Sequence, residues 1–111
     1  MKKSILTLIF LSFAGLLMAH PPKSVNLTYN KEGKIKIVVV HNVKDVATHY
    51  IKQIIIFVDG KQVKTLDFKT QTNVKEEDVE VVVPEVKSGS EVKVKATCNI
   101  FGSKTGKIKI Q

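Results

Sequence analysis

The chain has 111 residues, of which 43% are hydrophobic, and a formal net charge of +8 at neutral pH. This length suffices for one small domain with a thin core and leaves no room for a second within it. Every basic side chain apart from histidine is a lysine, so the arginines that commonly read nucleic-acid bases are missing, and we exclude nucleic-acid binding. We interpret the lysines as a solvated sheet face that could also attract a small anion or an acidic redox partner.

The N-terminal residues have the pattern of a secretory signal peptide. Two lysines precede an apolar run over residues 5–18, which closes on the small residue Ala19. The run is too short for a comfortable transmembrane helix. We therefore predict a signal peptide over 1–19, a periplasmic or secreted mature domain over 20–111 that starts at His20, and no membrane span after cleavage. In the alternative, an uncleaved anchor, His20 would have no free amine.

The rest of the chain indicates short strands separated by turn residues, without a helical period. Turns are predicted at Asn30 to Gly33, at Asp59-Gly60 and at Ser88 to Ser90. Seven strands in this length predict an all-β, immunoglobulin-like antiparallel β-sandwich. The predicted strands are Ser24 to Tyr29, Lys34 to His41, Ile51 to Val58, Gln62 to Phe68, Val79 to Val83, Glu91 to Cys98 and Lys107 to Ile110.

An acidic run, Glu76-Glu77-Asp78, precedes the fifth predicted strand. It lacks the alternating oxygen ligands of a calcium-binding loop. We therefore interpret it as a solvated loop and not as a cation site.

The period of the strands directs a histidine and a cysteine to the ends of two inward-facing rows. His41 continues one row and Cys98 the other, and we expect both rows to lie in the core. His49 begins the strand that follows, so it returns to the same end as His41, and His20 could reach that end from ahead of the first strand. The rows are Ile35, Ile37 and Val39, and Val92, Val94 and Ala96.

These residue types allow several interpretations. A lone histidine at a core edge is usually a satisfied structural residue, and a lone cysteine can be an inert buried thiol or an intermolecular link. As metal ligands, imidazoles and a thiolate suit iron, copper and zinc alike. A closed tetrahedral set would be a structural zinc site, whereas a larger shell with an open position would suit iron or copper. A free amine at His20, together with its imidazole, could chelate copper(II).

Four parts of the sequence carry a family resemblance: His41, the strand start His49-Tyr50-Ile51, the turn Asp59-Gly60 and the segment Cys98-Asn99-Ile100-Phe101-Gly102. Together they resemble the iron domain of the superoxide reductases, the desulfoferrodoxin and neelaredoxin family. The resemblance implies an immunoglobulin-like sandwich with one mononuclear non-haem iron, held by four equatorial histidines and an axial cysteine thiolate. It also implies reduction of superoxide to hydrogen peroxide with electrons from an external donor.

The same resemblance implies a ligand set for this chain. His41 and His49 match two equatorial ligands and Cys98 the axial one, while His20 in His20-Pro21-Pro22 matches the family's early His-x-Pro ligand. Phe101 stands where the family turn has its fourth histidine. The residue at the position of the family's lysine before the early histidine would be removed with the signal peptide, which leaves Lys44 or Lys23 as substitutes, and we assign anion steering to Lys44.

We therefore predict an exported, superoxide reductase-like protein that binds a single metal ion, iron, through an altered ligand set, and that is an oxidoreductase if this site is active. One alternative is a copper or zinc binding or carrier protein that uses the N-terminal His20. Another is a non-catalytic β-sandwich interaction module in which the histidines and the cysteine cluster by chance. No serine nucleophile motif or phosphate loop indicates a hydrolase or a kinase.

Overall fold

The computed structural model describes residues 20–30 and 32–111, in which the chain forms seven strands. The predicted signal peptide lies outside these residues. Within them, no helix is long and apolar enough to cross a membrane. The strands are β1 (Ser24–Tyr29), β2 (Lys34–Val40), β3 (Ile51–Val58), β4 (Lys61–Asp67), β5 (Glu76–Val82), β6 (Glu91–Cys98) and β7 (Ser103–Lys109).

The strands form two sheets in which all neighbours are antiparallel. One sheet has the order β1-β2-β5, and the other has the order β4-β3-β6-β7. The chain changes sheet after β2, after β4 and after β5, an arrangement that differs from the constant-type immunoglobulin sandwich in that β4 pairs with β3 and does not join the sheet of β1, β2 and β5. The predicted all-β sandwich is therefore confirmed, as is the Asp59-Gly60 turn between β3 and β4, where both residues have positive φ.

The core lies between the sheets and consists of aliphatic side chains from alternate strand positions. The predicted inward rows of β2 and β6 are confirmed, because all six side chains have no exposed surface. In β3 the alternation is interrupted by a register shift between Ile51 and Gln53 relative to β6. This bulge allows both Ile51 and Ile54 to point into the core although they are three residues apart.

Two predictions about the strands are wrong. The acidic run is not a solvated loop, because it begins β5 and pairs with the end of β2, and Glu77 is only 4% exposed. The Glu77 carboxylate accepts hydrogen bonds from the Thr72 hydroxyl and from the Asp78 N–H, which replace solvation. The last strand is also longer than predicted, since residues 103–109 pair with β6 along their whole length.

The pairing register places four connecting segments at one end of the sandwich. Ser24 at the start of β1 pairs with Val40 at the end of β2, which also pairs with Glu76 at the start of β5. In the other sheet, Ile51 at the start of β3 pairs with Cys98 at the end of β6. The segments 20–23, 41–50, 68–75 and 99–102 therefore meet at this end, which we call the loop end.

Candidate metal centre

The loop end brings His41, His49 and Cys98 together. Each offers one ligand atom, and these atoms all lie within 4.8 Å of one another. The two imidazole rings stand edge to face with their centroids 4.8 Å apart. His41 and Cys98 are 2% and 3% exposed, and His49 is partly buried. Two imidazoles and a thiol at this separation could hold one metal ion.

The hydrogen bonding of the two rings tests whether a metal fits. Nε2 of His41 and Nε2 of His49 are both buried, and neither has a hydrogen-bond partner among the described residues. Leaving a buried polar atom unpaired costs about 1–3 kcal/mol, so such atoms usually have a partner. A metal ion between the rings would accept both lone pairs, and a thiolate beside them completes a donor set typical of transition metals.

His41 is positioned by the loop between β4 and β5. Its backbone N–H donates to the Lys75 carbonyl at 3.0 Å, which extends the pairing of β2 and β5 beyond the strands. Its Nδ1 lies 2.7 Å from Oε1 of Gln71, a side chain that is only 3% exposed. We did not predict a role for Gln71, because no local pattern marks a residue that contacts the site across 30 positions of sequence.

A turn that starts at Asp45 positions His49. The Asp45 carbonyl accepts hydrogen bonds from the N–H groups of Thr48 and His49, at 3.3 and 3.0 Å, and its carboxylate accepts one from the Ala47 N–H at 2.9 Å. Burial lowers the pKa of His49, and the imidazoles of His41 and His20 lower it further. The neutral form, which is the form that binds metals, is therefore favoured.

The side chain of Asn99 joins the Cys98 turn to the start of β3. Its Oδ1 accepts a hydrogen bond from the Tyr50 N–H at 2.9 Å, and its Nδ2 donates to the Thr48 carbonyl at 3.1 Å. The N–H of Ile100 points at the Cys98 sulfur at 3.4 Å. An N–H in this position stabilises negative charge on a thiolate ligand.

His20 lies at the edge of the cluster and not within it. It is exposed and lines two neighbouring depressions, one of about 340 Å³ shared with His41 and one of about 610 Å³ shared with His49 and Lys44. Lys44 is also exposed, and Asp45 lines the same larger depression. The structure thus places His20 and Lys44 beside the cluster, and their roles as ligand and as anion-steering residue stay predictions.

The segment that carries His20 is attached to both sides of the cluster. The Lys23 N–H donates to the Val40 carbonyl at 2.7 Å, directly before His41. On the other side, Pro21 packs on Gly102, where an added Cβ would lie only 2.6 Å from the Pro21 Cβ. Gly102 also has a φ of 82°, so its lack of a side chain serves both the turn and this contact.

The turn after Cys98 exposes two large apolar side chains. Ile100 is 55% exposed and Phe101 is 50% exposed. Phe101 occupies the position for which the family resemblance implies a histidine, and its ring has no atom that can donate a lone pair to a metal. The chain therefore departs here from the ligand set that the resemblance implies. Two exposed apolar side chains lie beside the candidate metal centre, and the fold accommodates them.

No protein-family model matches the sequence, and no curated protein matches it either. Solved structures share its fold. A superoxide reductase (1Fe-SOR) from Giardia intestinalis is 14% identical, with a TM-score of 0.63 over 82% of this chain and 100% of that chain. A hypothetical protein from Pyrococcus horikoshii OT3 is 16% identical, with a TM-score of 0.57 over 83% of this chain and 90% of that chain.

A superoxide reductase from Nanoarchaeum equitans is 16% identical, with a TM-score of 0.52 over 82% of this chain and 92% of that chain. At such low identities a structural likeness establishes the fold and not the activity. The likeness spans nearly the whole length of each of these proteins. The chain therefore has the fold of the superoxide reductases, in agreement with the resemblance of its histidine and cysteine segments.

Proposed function

We propose that this chain is an exported mononuclear metal protein of the superoxide reductase type. In this proposal His41, His49 and Cys98 hold a non-haem iron, and His20 is a further ligand. The observation that carries the proposal is the convergence of three donor atoms within 4.8 Å. The two buried Nε2 atoms without partners and the fold shared with superoxide reductases support it.

Each residue has a distinct task in the proposed reaction. His41 and His49 are neutral donors, while the Cys98 thiolate is a strong donor that raises electron density at the centre. A bound iron would supply one electron to superoxide, which takes up two protons and leaves as hydrogen peroxide. The electron would come from an external donor. Lys44 contributes positive charge at the rim of the depression, and the 16 lysines against 10 acidic residues in 20–111 attract the anion in the same sense.

The export part of the proposal rests on the sequence of residues 1–19. Cleavage after Ala19 would make His20 the first residue of a periplasmic or secreted protein. The intact mass of the protein recovered from the secreted fraction tests this, because it gives the cleavage point directly. A mass that includes residues 1–19 would contradict it.

A second candidate is a copper or zinc protein that binds its metal and catalyses no reaction. The donor set also supports this candidate. Two histidines and one cysteine are also the equatorial ligands of blue-copper electron-transfer sites. Phe101 adds no nitrogen, so the described cluster has fewer histidines than the resemblance implies. A free amine at His20 would add a further donor for copper(II).

Metal analysis of the protein purified with its native N-terminus separates these functions. We expect a single iron per chain, a thiolate-to-iron absorption band, and consumption of superoxide that yields peroxide without oxygen. A single copper with an intense visible band and no superoxide turnover would favour the second candidate. A protein that takes up no metal after loading with iron, copper or zinc would be an interaction module.

A further inference from the structure

Gln71 is one of the few buried polar side chains of the described residues, and both ends of its amide have hydrogen-bond partners. Its Oε1 lies 2.7 Å from Nδ1 of His41. Its Nε2 lies 2.8 Å from the carbonyl oxygen of His41 and 2.9 Å from the carbonyl oxygen of Asn73. The amide is therefore held at three points, and two of them belong to the same histidine.

The two carbonyl contacts determine which end of the amide faces the imidazole. Only the NH₂ group can donate to two carbonyl oxygens, so the Gln71 nitrogen must face the backbone and Oε1 must face the ring. Because Oε1 can only accept a hydrogen bond, Nδ1 of His41 must carry the proton. A neutral imidazole protonated at Nδ1 has its free lone pair at Nε2, the atom that is buried without a partner.

We propose that Gln71 is a positioning residue that holds His41 in its Nδ1-protonated tautomer and directs the Nε2 lone pair at the metal. The purpose of this arrangement rests on the proposed metal-binding function, whereas the tautomer follows from the hydrogen bonds alone. The amide carries no charge, so it orients the ring without adding a negative charge near the centre. Groups that orient a ligating histidine commonly contribute to metal affinity.

A purely structural role for Gln71 would be a competing explanation, because its loop is also attached to the loop that carries His49. The Gln71 N–H donates to the Val46 carbonyl at 3.3 Å, and the Thr70 hydroxyl donates to the same oxygen at 3.1 Å. The Val43 N–H donates to the Val74 carbonyl at 2.8 Å. The test must therefore separate the contact to Nδ1 from the support of the loops.

Two substitutions make this separation. Gln71→Glu and Gln71→Met both remove the NH₂ group and its two bonds to backbone carbonyls, but only Gln71→Glu keeps an oxygen that can accept from Nδ1. Because Gln71→Glu also adds a negative charge, the imidazole tautomer reports on the Nδ1 contact, and metal affinity is the second measurement. Gln62→Met, a substitution of the same kind on the exposed face of β4, serves as the control.

The direct measurement is the ¹⁵N spectrum of the imidazoles in metal-free protein under mildly alkaline conditions. We expect the Nδ1-protonated tautomer of His41 in the wild type, in Gln71→Glu and in Gln62→Met, and a shift towards the Nε2-protonated tautomer in Gln71→Met. In titrations with Co²⁺ alone, Gln71→Met should bind about 10–100-fold more weakly than the wild type, and Gln71→Glu, which keeps the acceptor, should lose less. Gln62→Met should bind like the wild type.

An Nε2-protonated His41 in the wild type would overturn the proposal, and this measurement needs no variant to fold. An unchanged tautomer in Gln71→Met would show that Gln71 only stabilises the loops. Equal losses of Co²⁺ affinity in Gln71→Met and Gln71→Glu would show the same. A wild type with the expected tautomer that binds no Co²⁺ would contradict the proposed function and leave the tautomer assignment standing.

Discussion

The middle of the sandwich and its loop end are built from the same strands but treat polar groups in opposite ways. In the middle, β2 and β6 contribute only aliphatic side chains to the core, such as Ile37 and Val94, and none of their surface is exposed. At the loop end the same two rows continue into His41 and Cys98, which are 2% and 3% exposed. Each row thus stays buried up to its end, but its side chains change from aliphatic to a histidine or a cysteine.

This difference distinguishes the hydrophobic core in the middle of the sandwich from the candidate binding site at the loop end. Burial stabilises an aliphatic side chain by about 1.5–3 kcal/mol, but it penalises a polar atom that lacks a partner. Gln71 satisfies Nδ1 of His41, and the Ile100 N–H contacts the Cys98 sulfur. The Nε2 atoms of His41 and His49 stay unsatisfied among the described residues. Unpaired polar atoms that converge at one end of a well-packed fold point to a ligand.

The largest expected effect is in the middle of the sandwich. Val94→Asp would bury an unpaired carboxylate between the sheets and should prevent folding, at a cost of about 4 kcal/mol or more. Circular dichroism and the dispersion of the amide NMR spectrum measure this. Lys95→Asp, at the next position of β6 and exposed, should stay folded. A Val94→Asp protein with the wild-type melting temperature would contradict the inward assignment of this row.

At the loop end, Cys98→Ser should leave the fold intact and change the metal chemistry. The substitution should abolish any sulfur-to-metal charge-transfer band and weaken metal retention by about tenfold or more. Absorption spectra and metal content after dialysis against a chelator provide the measurement. Thr97→Ser, the adjacent residue on the other face of β6, should change neither. Equal spectra and metal content in wild type and Cys98→Ser would identify an inert buried thiol.

The inward rows, and the placement of His41 and Cys98 at their ends, could be predicted because a strand repeats its side-chain direction every two residues. The buried Glu77 could not, because its burial depends on bonds from Thr72 and Asp78 that only the folded chain forms. The role of Gln71 also depends on a contact between distant loops. The start of β7 could not be predicted either, because Lys104-Thr105-Gly106 shows no apolar alternation. This segment is a strand only through its backbone pairing with β6.

Phe101→His tests whether the loop end can recover the ligand that the resemblance implies. An added imidazole should increase iron affinity and superoxide reduction, because it would restore a histidine beside a thiolate-bound iron. Iron competition with a chelator and a superoxide assay measure the two effects. Ile100→His is a matched control, since the neighbouring Ile100 is similarly exposed. The same gain in both variants would show that any surface histidine suffices.

The N-terminus offers a weaker perturbation of the same end. A protein that retains extra residues before His20 should bind metal measurably more weakly than the correctly cleaved form, because it lacks the free amine and crowds the exposed imidazole. Competition titrations of both forms with the same chelator give the ratio of affinities. A third form, extended at Gln111, controls for added length. Equal affinity of the N-terminally extended and cleaved forms would remove the His20 amine from the ligand set.

The smallest expected effect is the pH dependence of folding stability in the metal-free protein. Burial and the neighbouring His41 and His20 lower the pKa of His49 in the folded chain below its usual 6.5. The unfolded chain therefore binds this proton more readily, so the contribution of His49 to the free energy of unfolding is fully present above pH 6.5 and is lost as the pH falls through the lowered pKa. Urea denaturation at a series of pH values should show a steeper loss for the wild type than for His49→Gln. Lys44→Gln, which removes a nearby charge but no titrating imidazole, should keep the wild-type slope. Parallel profiles for wild type and His49→Gln would mean that the loop end does not disfavour the charged imidazole.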